Sequence, residues 1–552
     1  MISPDDRNVD TLIRDNQGRP RWRGLVAGMA CLLTTTELLA QALPTNDTTL
    51  RRIWQIGMNE SQVMDLAQVL SDSIGPRLLG STGLQSSQAW AVQTYGRWGI
   101  PARTEPYGTW LGWHRGATHI DLVSPHLRTL AAVPVAFSNG TAGTVEGVVL
   151  TLPMVQDSAA FAAWLPHVRG AFVAIESPRL SCRSDRDFET SGTAGSLERR
   201  RREQAAADSI FDAARLLPTG LHGRALDPWP LYAALSRAGA LGVLRSQADP
   251  QAGILRSERA VLFTSVVGTT LAPVLNVSCE DYGLLVRLAE RRQSPRLRAS
   301  VEAQQTGEVA TSNTIAKISG SVRSGEYIVL SAHLDSWDGA SGATDNAAGT
   351  AVVMEAMRIL KANYPHPRRT ILAGHWVAEE FGTQGSRAWA EDHPEVVRGL
   401  HALFDLDSGT GRVTGVSAMG LMGAGENLAR WFSRVPTELS EGILFEFPGL
   451  PATGGRDVAS FTCYGAPAFP FAGAGWSYGS TQHSTVDTFD KLVPEEMRHN
   501  AVLLAMLVYL ADQDDTGTSR DRRAILSSPR FPSPRQWPNC ADAPARRKAP
   551  PS

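Results

Sequence analysis

Lysine is nearly missing from this chain: only Lys317, Lys361, Lys491 and Lys548 occur in 552 residues. Arginine carries the remaining positive charge, and 53 Lys+Arg against 55 Asp+Glu leave a formal net charge of −2. With a pI near 6.7 there is no strong basic field to draw the protein onto nucleic acid, and that partner class is set aside. Cysteine is also scarce. Cys31, Cys182, Cys279, Cys463 and Cys540 are too few and too scattered for a disulfide framework or a CxxC metal site. Beyond the N-terminal leader no apolar run approaches the length that crosses a bilayer. What is present, 43% hydrophobic and 20% charged residues with mean hydropathy −0.15, describes an ordinary globular chain. Its length exceeds what one packed core holds, so several domains are expected.

The N-terminus has the pattern of a leader. Arg21-Trp22-Arg23 precedes the apolar stretch 24–33, and Ala40-Gln41-Ala42 fits a small-residue cleavage site. Residues 1–42 therefore read as a signal peptide, with an uncleaved anchor as the alternative. Export to a periplasmic or extracellular space is expected, with no stable membrane span after cleavage. At most two disulfides remain once Cys31 is removed with the leader.

Residues 43–117 open the main domain, with Val63, Leu66, Ala67 and Leu70 on one face of a helix from Ser61. Over 118–280 the texture changes to short β-rich runs (145–149, 171–175, 261–267) between Gly/Pro/Ser turns, broken by a charged helix over 197–215. In that helix Arg199 to Arg202 read as a solvated face. From 281 to 515 the pattern becomes strand–helix–strand. Apolar strands are expected at 327–332, 370–378 and 400–406, and helices at 350–361 and from Pro494. Such alternation predicts an α/β fold: a mixed, mostly parallel sheet flanked by helices. The Pro/Arg/Ser-rich tail, 516–552, is expected to lack order.

Three acidic clusters sit where those apolar strands end: His333-Leu-Asp335 followed by Asp345, the pair Glu379-Glu380, and Asp405-Leu-Asp407. Carboxyl ends of strands line the ligand crevice of open α/β sheets. Singly each cluster is common, and a lone His at a strand end is more often a satisfied core residue. Jointly, charged side chains ending three buried strands call for a divalent metal. Zinc takes imidazole nitrogen and carboxylate oxygen. His333 suits one ion, with Asp335 orienting its imidazole. Asp345 can bridge two ions with its two oxygens. Of the adjacent glutamates, one can ligate while the other works on water.

The segments HLDSWDGASGATDNAAG, VAEEFGTQGS and FDLDSGTG resemble the co-catalytic dizinc exopeptidases, the family of bacterial leucine-type aminopeptidases and glutamate carboxypeptidases. Within it they look most like the plasma glutamate carboxypeptidases. The resemblance spans about Arg52 to Ala511. It implies a zinc-exopeptidase-like fold with an inserted β-rich, protease-associated-like domain over 118–280. Two Zn2+ ions, a peptide substrate and a homodimer are implied with it. Carried over residue by residue, it implies His333, Asp345, Glu380, Asp407 and His483 as metal ligands and Glu379 as general base. Asp335 is a further catalytic candidate. The implied reaction is peptide-bond hydrolysis by a water shared between two ions roughly 3.5–4 Å apart, with Glu379 taking its proton. Asp405 competes with Asp407. Residue patterns alone do not choose His483 over His393, His401 or His499. Gln482 stands where many relatives carry a second His. For the substrate ends, Asp338 and Asp457 suit an ammonium, and Arg387 and Arg456 a carboxylate.

Three other readings compete. Gly475-Trp-Ser477-Tyr-Gly479 matches the G-x-S-x-G nucleophile elbow, which needs a preceding strand and a following helix; the flanking residues suit neither. An inactive receptor or binding relative on the same fold would have lost ligands or the base, and all six positions are suitably filled. A single-zinc acyl transferase of the glutaminyl-cyclase type would not need the full bridging set.

Overall fold

A computed structural model describes residues 45–221, 229–246, 271–452, 454–523 and 537–542. The expected leader, the strand expected at 261–267 and most of the tail lie outside the described residues. The strands are β1 (Ala102–Ser124), β2 (Arg128–Thr129), β3 (Ala132–Pro134), β4 (Val145–Thr151), β5 (Ala171–Ala174), β6 (Gly242–Arg245), β7 (Val274–Val277) and β8 (Arg296–Ile318). They continue as β9 (Arg323–His333), β10 (Arg369–Trp376), β11 (Leu400–Asp405), β12 (Val413–Ser417), β13 (Leu444–Glu446) and β14 (Ala468–Gly473). These strands join in one mixed sheet with the order β13-β12-β14-β11-β9-β10-β8-β4-β5-β6-β7-β3, while β1 pairs with β8 and β2.

The site lies in the half containing β9 to β11. β9 alternates between two cores: Ile328, Leu330 and Ala332 face one, and Val329 faces the other. A strand buried on both faces is apolar throughout, which is why it was readable as a continuous run. The helices Ala348–Asn363 and Pro494–Gln513 pack together over the first face and are buried on nearly every side. β9 pairs parallel with β10 on one side and with β11 on the other. The chain moves one way from β9 to β10 and then returns past β9 to β11, so the order reverses at β9. The crevice beyond its carboxyl end is the expected ligand position.

Two long strands are not announced by the sequence pattern. β1 and β8, 23 residues each, form an antiparallel ribbon. Residues 314–318 of β8 pair with β10, whereas residues 296–299 pair with β4. The expected boundary at 117/118 falls inside β1, and that at 280/281 falls inside the helix Cys279–Glu290.

The described residues of 118–280 are not β-rich, which corrects the expectation. Helices Ser158–Trp164, Asp185–Ser191, Ser196–Phe211 and Trp229–Arg237 outweigh the short strands there. β4 to β7 run parallel, and β5, β6 and β7 are buried at every position, the pattern of strands covered by helices rather than of an exposed β module. Arg200 and Arg201 both pair with Asp185, so part of the arginine run is ion-paired.

The tail differs from expectation where it is described. Arg520 donates to the carbonyls of Val397, Arg398 and Leu400, and Arg523 N–H to that of Gly420. Trp537 donates to the Thr462 carbonyl, and Cys540 is disulfide-bonded to Cys463. Composition hides this order because the anchors are single side chains and a covalent bond. The second disulfide joins Cys182 to Cys279.

Candidate metal centre

Four loops meet beyond β9. His333 ends β9 itself, and the Thr350 hydroxyl donates to its carbonyl at 2.8 Å. Asp345 follows in the turn before the helix Ala348–Asn363. Asn346 fastens that turn: its amide donates to the Leu406 carbonyl at 2.8 Å and its oxygen accepts the Gly349 N–H at 2.9 Å. Glu379 and Glu380 lie just past β10. Asn313 of β8 holds this loop, accepting the Val377 N–H and donating to the Gly385 carbonyl. Asp407 lies two residues past β11, and His483 comes from the loop after β14.

The side chains divide into two groups that share Asp345. One of its oxygens, Oδ1, is 3.1 Å from His333 Nε2, which is also 3.5 Å from Asp407 Oδ1. The other, Oδ2, is 3.1 Å from His483 Nε2, itself 3.0 Å from Glu380 Oε2. His333, Asp345 and Glu380 bring ligand atoms within 4.8 Å of one another, as a metal ion requires. The donors fit divalent zinc in kind: imidazole nitrogen and carboxylate oxygen. They also fit by need, since buried His333 Nε2 and Glu380 Oε1 make no hydrogen bond.

Electrostatics reflect crowding of acids out of water. Burial pushes Glu380 up to about 7, with Asp345 adding to the rise and His483 opposing it. Burial also holds Glu379 well above the usual carboxylate range; Asp407, Asp457 and Glu380 add to this against His333. Asp345 and Asp407 go the other way: burial would raise both, but the imidazoles they face, His333 and His483 for Asp345 and His333 for Asp407, overcome it. So much buried negative charge needs compensating cations.

A surrounding layer holds these groups. His333 Nδ1 lies 3.0 Å from the Asp335 carbonyl oxygen and 3.7 Å from its carboxylate. The imidazole is therefore oriented by main chain, not by the Asp335 side chain as expected; that carboxylate instead accepts the Glu379 N–H at 3.3 Å. Asp487, four residues after His483, accepts the N–H groups of Thr344 and Asp345 at 2.6 and 3.1 Å. Arg77 is completely buried and spends its guanidinium on carbonyls of Leu334, Ser341 and Gly342, bracing the loop before Asp345. The Tyr478 hydroxyl donates to Asp407 Oδ1 at 3.3 Å. Asn346, Arg77 and Tyr478 went unnoticed in the sequence, where no cluster marks them.

The other candidates sort by geometry. Asp405 accepts the Ser331 hydroxyl at 2.7 Å, while Asp407 approaches His333. His393 pairs with Glu105, His401 meets the Ala511 carbonyl and His499 meets Asn500, so of the four histidines His483 is the one beside Asp345 and Glu380. Asp338 is ion-paired with Arg115 at 2.6 Å. Ser477 does follow a strand, β14, and precede a short helix, Tyr478–Thr481, contrary to expectation. Its hydroxyl is exposed, with no hydrogen bond to a histidine among the described contacts.

Comparison with known proteins converges on the same stretch. The sequence model of Peptidase family M28 matches residues 313–508, which include every ligand candidate. Mouse carboxypeptidase Q is 23% identical over 462 residues, covering 83% of this chain and 87% of the relative. Among solved structures, a Peptidase M28 precursor from Shewanella amazonensis superposes with a TM-score of 0.60 at 20% identity, over 86% of this chain and 99% of that one. A zinc aminopeptidase from Bacillus subtilis gives 0.51 at 15% identity, over 83% and 97%. Over residues 313–508 the chain is similar to Peptidase family M28, and it is a metallo-exopeptidase hydrolase.

Proposed function

We propose that the chain hydrolyses dipeptides or short peptides as a dizinc exopeptidase of the carboxypeptidase Q kind. His333, Asp345 and Asp407 take one ion, and Asp345, Glu380 and His483 the other. The observation that carries this is the Asp345 carboxylate, one oxygen turned to His333 and the other to His483. Zinc held there supplies Lewis acidity toward the scissile carbonyl and acidifies water toward neutral pH.

Glu379 takes a proton from the attacking water and returns it to the nitrogen of the breaking C–N bond, leaving a carboxylate and a free amine. Its raised proton affinity suits that exchange. Asp335 keeps the Glu379 main chain in place. Two disulfides support export into an oxidising compartment. A homodimer, carried over from the resemblance, is checked by light scattering.

The recognised terminus is settled by assay. Asp338 and Arg456 are already engaged by protein groups. A panel of dipeptides with free, N-blocked and C-blocked ends is run before chelation, after chelation and after zinc return. Hydrolysis lost on chelation and restored by zinc is expected. Loss with N-blocking identifies an aminopeptidase, and loss with C-blocking a carboxypeptidase or dipeptidase. Hydrolysis indifferent to chelation would refute the proposal.

A further inference from the structure

Arg456 belongs to no ligand set, yet it reaches into one half of the centre. Its side chain, 28% exposed, projects from the loop before the helix Ala459–Thr462. Nη2 donates to the Asp407 carbonyl at 2.5 Å and lies 3.2 Å from the Ser408 hydroxyl. Both terminal nitrogens reach the Phe471 carbonyl of β14 at 3.3 Å. The buried Nε makes no hydrogen bond and stands 3.6 Å from Asp407 Oδ2 and 3.8 Å from Asp405 Oδ2. One planar fork thus ties the turn after β11 to the neighbouring strand while its edge faces the carboxylate that the turn presents.

That turn has one other tie to β14, the Ser408 hydroxyl donating to the same Phe471 carbonyl at 2.6 Å. Asp407 lies beyond the last ladder bond of β11, and Tyr478 touches only one of its oxygens. By contrast Asp405, inside β11, is fixed by Ser331. A lysine could supply the charge but not three directed contacts.

We propose that Arg456 is a positioning residue for the His333–Asp407 half of the centre, holding Asp407 where it and His333 can share one ion. The Glu380–His483 half does not depend on it. This rests on the dizinc reading above. Two effects of the guanidinium oppose each other: its contacts place Asp407, while its charge weakens Asp407 as a donor. The positioning effect dominates.

The test is stepwise zinc binding to the full chain by chelator competition, on wild type, Arg456→Lys, Arg456→Gln and Ser408→Ala, with circular dichroism of the zinc-free proteins. Arg456→Lys keeps the charge and loses the fork; Arg456→Gln loses the charge. In both, one zinc step is expected to stay as in wild type and the other to weaken by about tenfold or more, the usual effect of removing a group that orients a ligand. Should neither Arg456 variant fold, Ser408→Ala decides, with a smaller weakening of one step expected. Unchanged binding in the folded variants, or tighter binding in Arg456→Gln alone, would overturn the proposal. A wild type that does not bind two zincs would instead overturn the reading beneath it.

Discussion

Asp345 and its neighbours show how single residues share the work. Asp487 holds the Asp345 main chain while His333 and His483 take its two oxygens. Replacing Glu379 by Gln should leave this arrangement intact and remove the proton carrier. Zinc content is expected to be unchanged while kcat falls by about 10²- to 10⁴-fold, the usual contribution of general acid–base catalysis. Loss of zinc in that variant would make Glu379 a ligand instead. Asp407→Asn should weaken one zinc step, whereas Asp405→Asn, whose partner is Ser331, should not. At this scale the sequence made legible the residues that terminate apolar strands, because a charge there is conspicuous. His483 was not legible from residue pattern, since it ends no apolar strand and three other histidines looked equivalent. Arg77 and Asn346 were hidden because their contacts are to main-chain carbonyls, which no sequence pattern announces.

The elements that position the centre were readable in proportion to their burial. β9 and the helix after it were visible as apolar runs of the right period. The β1–β8 ribbon was not: β8 alternates exposed and buried positions over much of its length, and bulges at Gly112/Trp113 and elsewhere break its register. Of the helices within 118–280 the charged one, Ser196–Phe211, was legible, and the others were masked by Gly, Pro and Ser around them. Close approach of elements gives a sharp expectation at Gly349. A Cβ there would lie 2.4 Å from both the Leu406 carbonyl oxygen and Asn346 Oδ1. Gly349→Ala should therefore loosen the Asp345 turn, lowering the thermal midpoint and weakening zinc retention together. An unaltered midpoint would show that the turn can yield. The Cys463–Cys540 bridge spans 77 residues and anchors the tail against the segment that carries Arg456. Its removal by Cys463→Ser with Cys540→Ser is expected to cost about 2–4 kcal/mol, read from denaturant unfolding.

For the whole molecule, two buried histidines weaken stability in acid. Burial, aided by the Arg369 cation, lowers His401 to about 4, and burial lowers His375 to about 3. Both are therefore neutral in the fold, while in the unfolded chain they titrate near 6.5. Their contribution is fully present above pH 6.5 and is lost as pH falls toward 4, because the unfolded chain takes up the protons. For His401 the gap between 6.5 and about 4 corresponds to roughly 3 kcal/mol. The drop in thermal midpoint between pH 7 and pH 4.5 should accordingly be smaller in His401→Gln than in wild type; parallel drops would contradict this.

The central claim is that one carboxylate joins two metal sites. Elemental analysis of zinc per chain, on wild type beside Asp345→Asn, addresses it most directly. Two zincs in wild type and fewer than one in the variant are predicted, since both half-sites lose a shared ligand. One zinc in wild type, or a variant that keeps its full complement, would contradict the account.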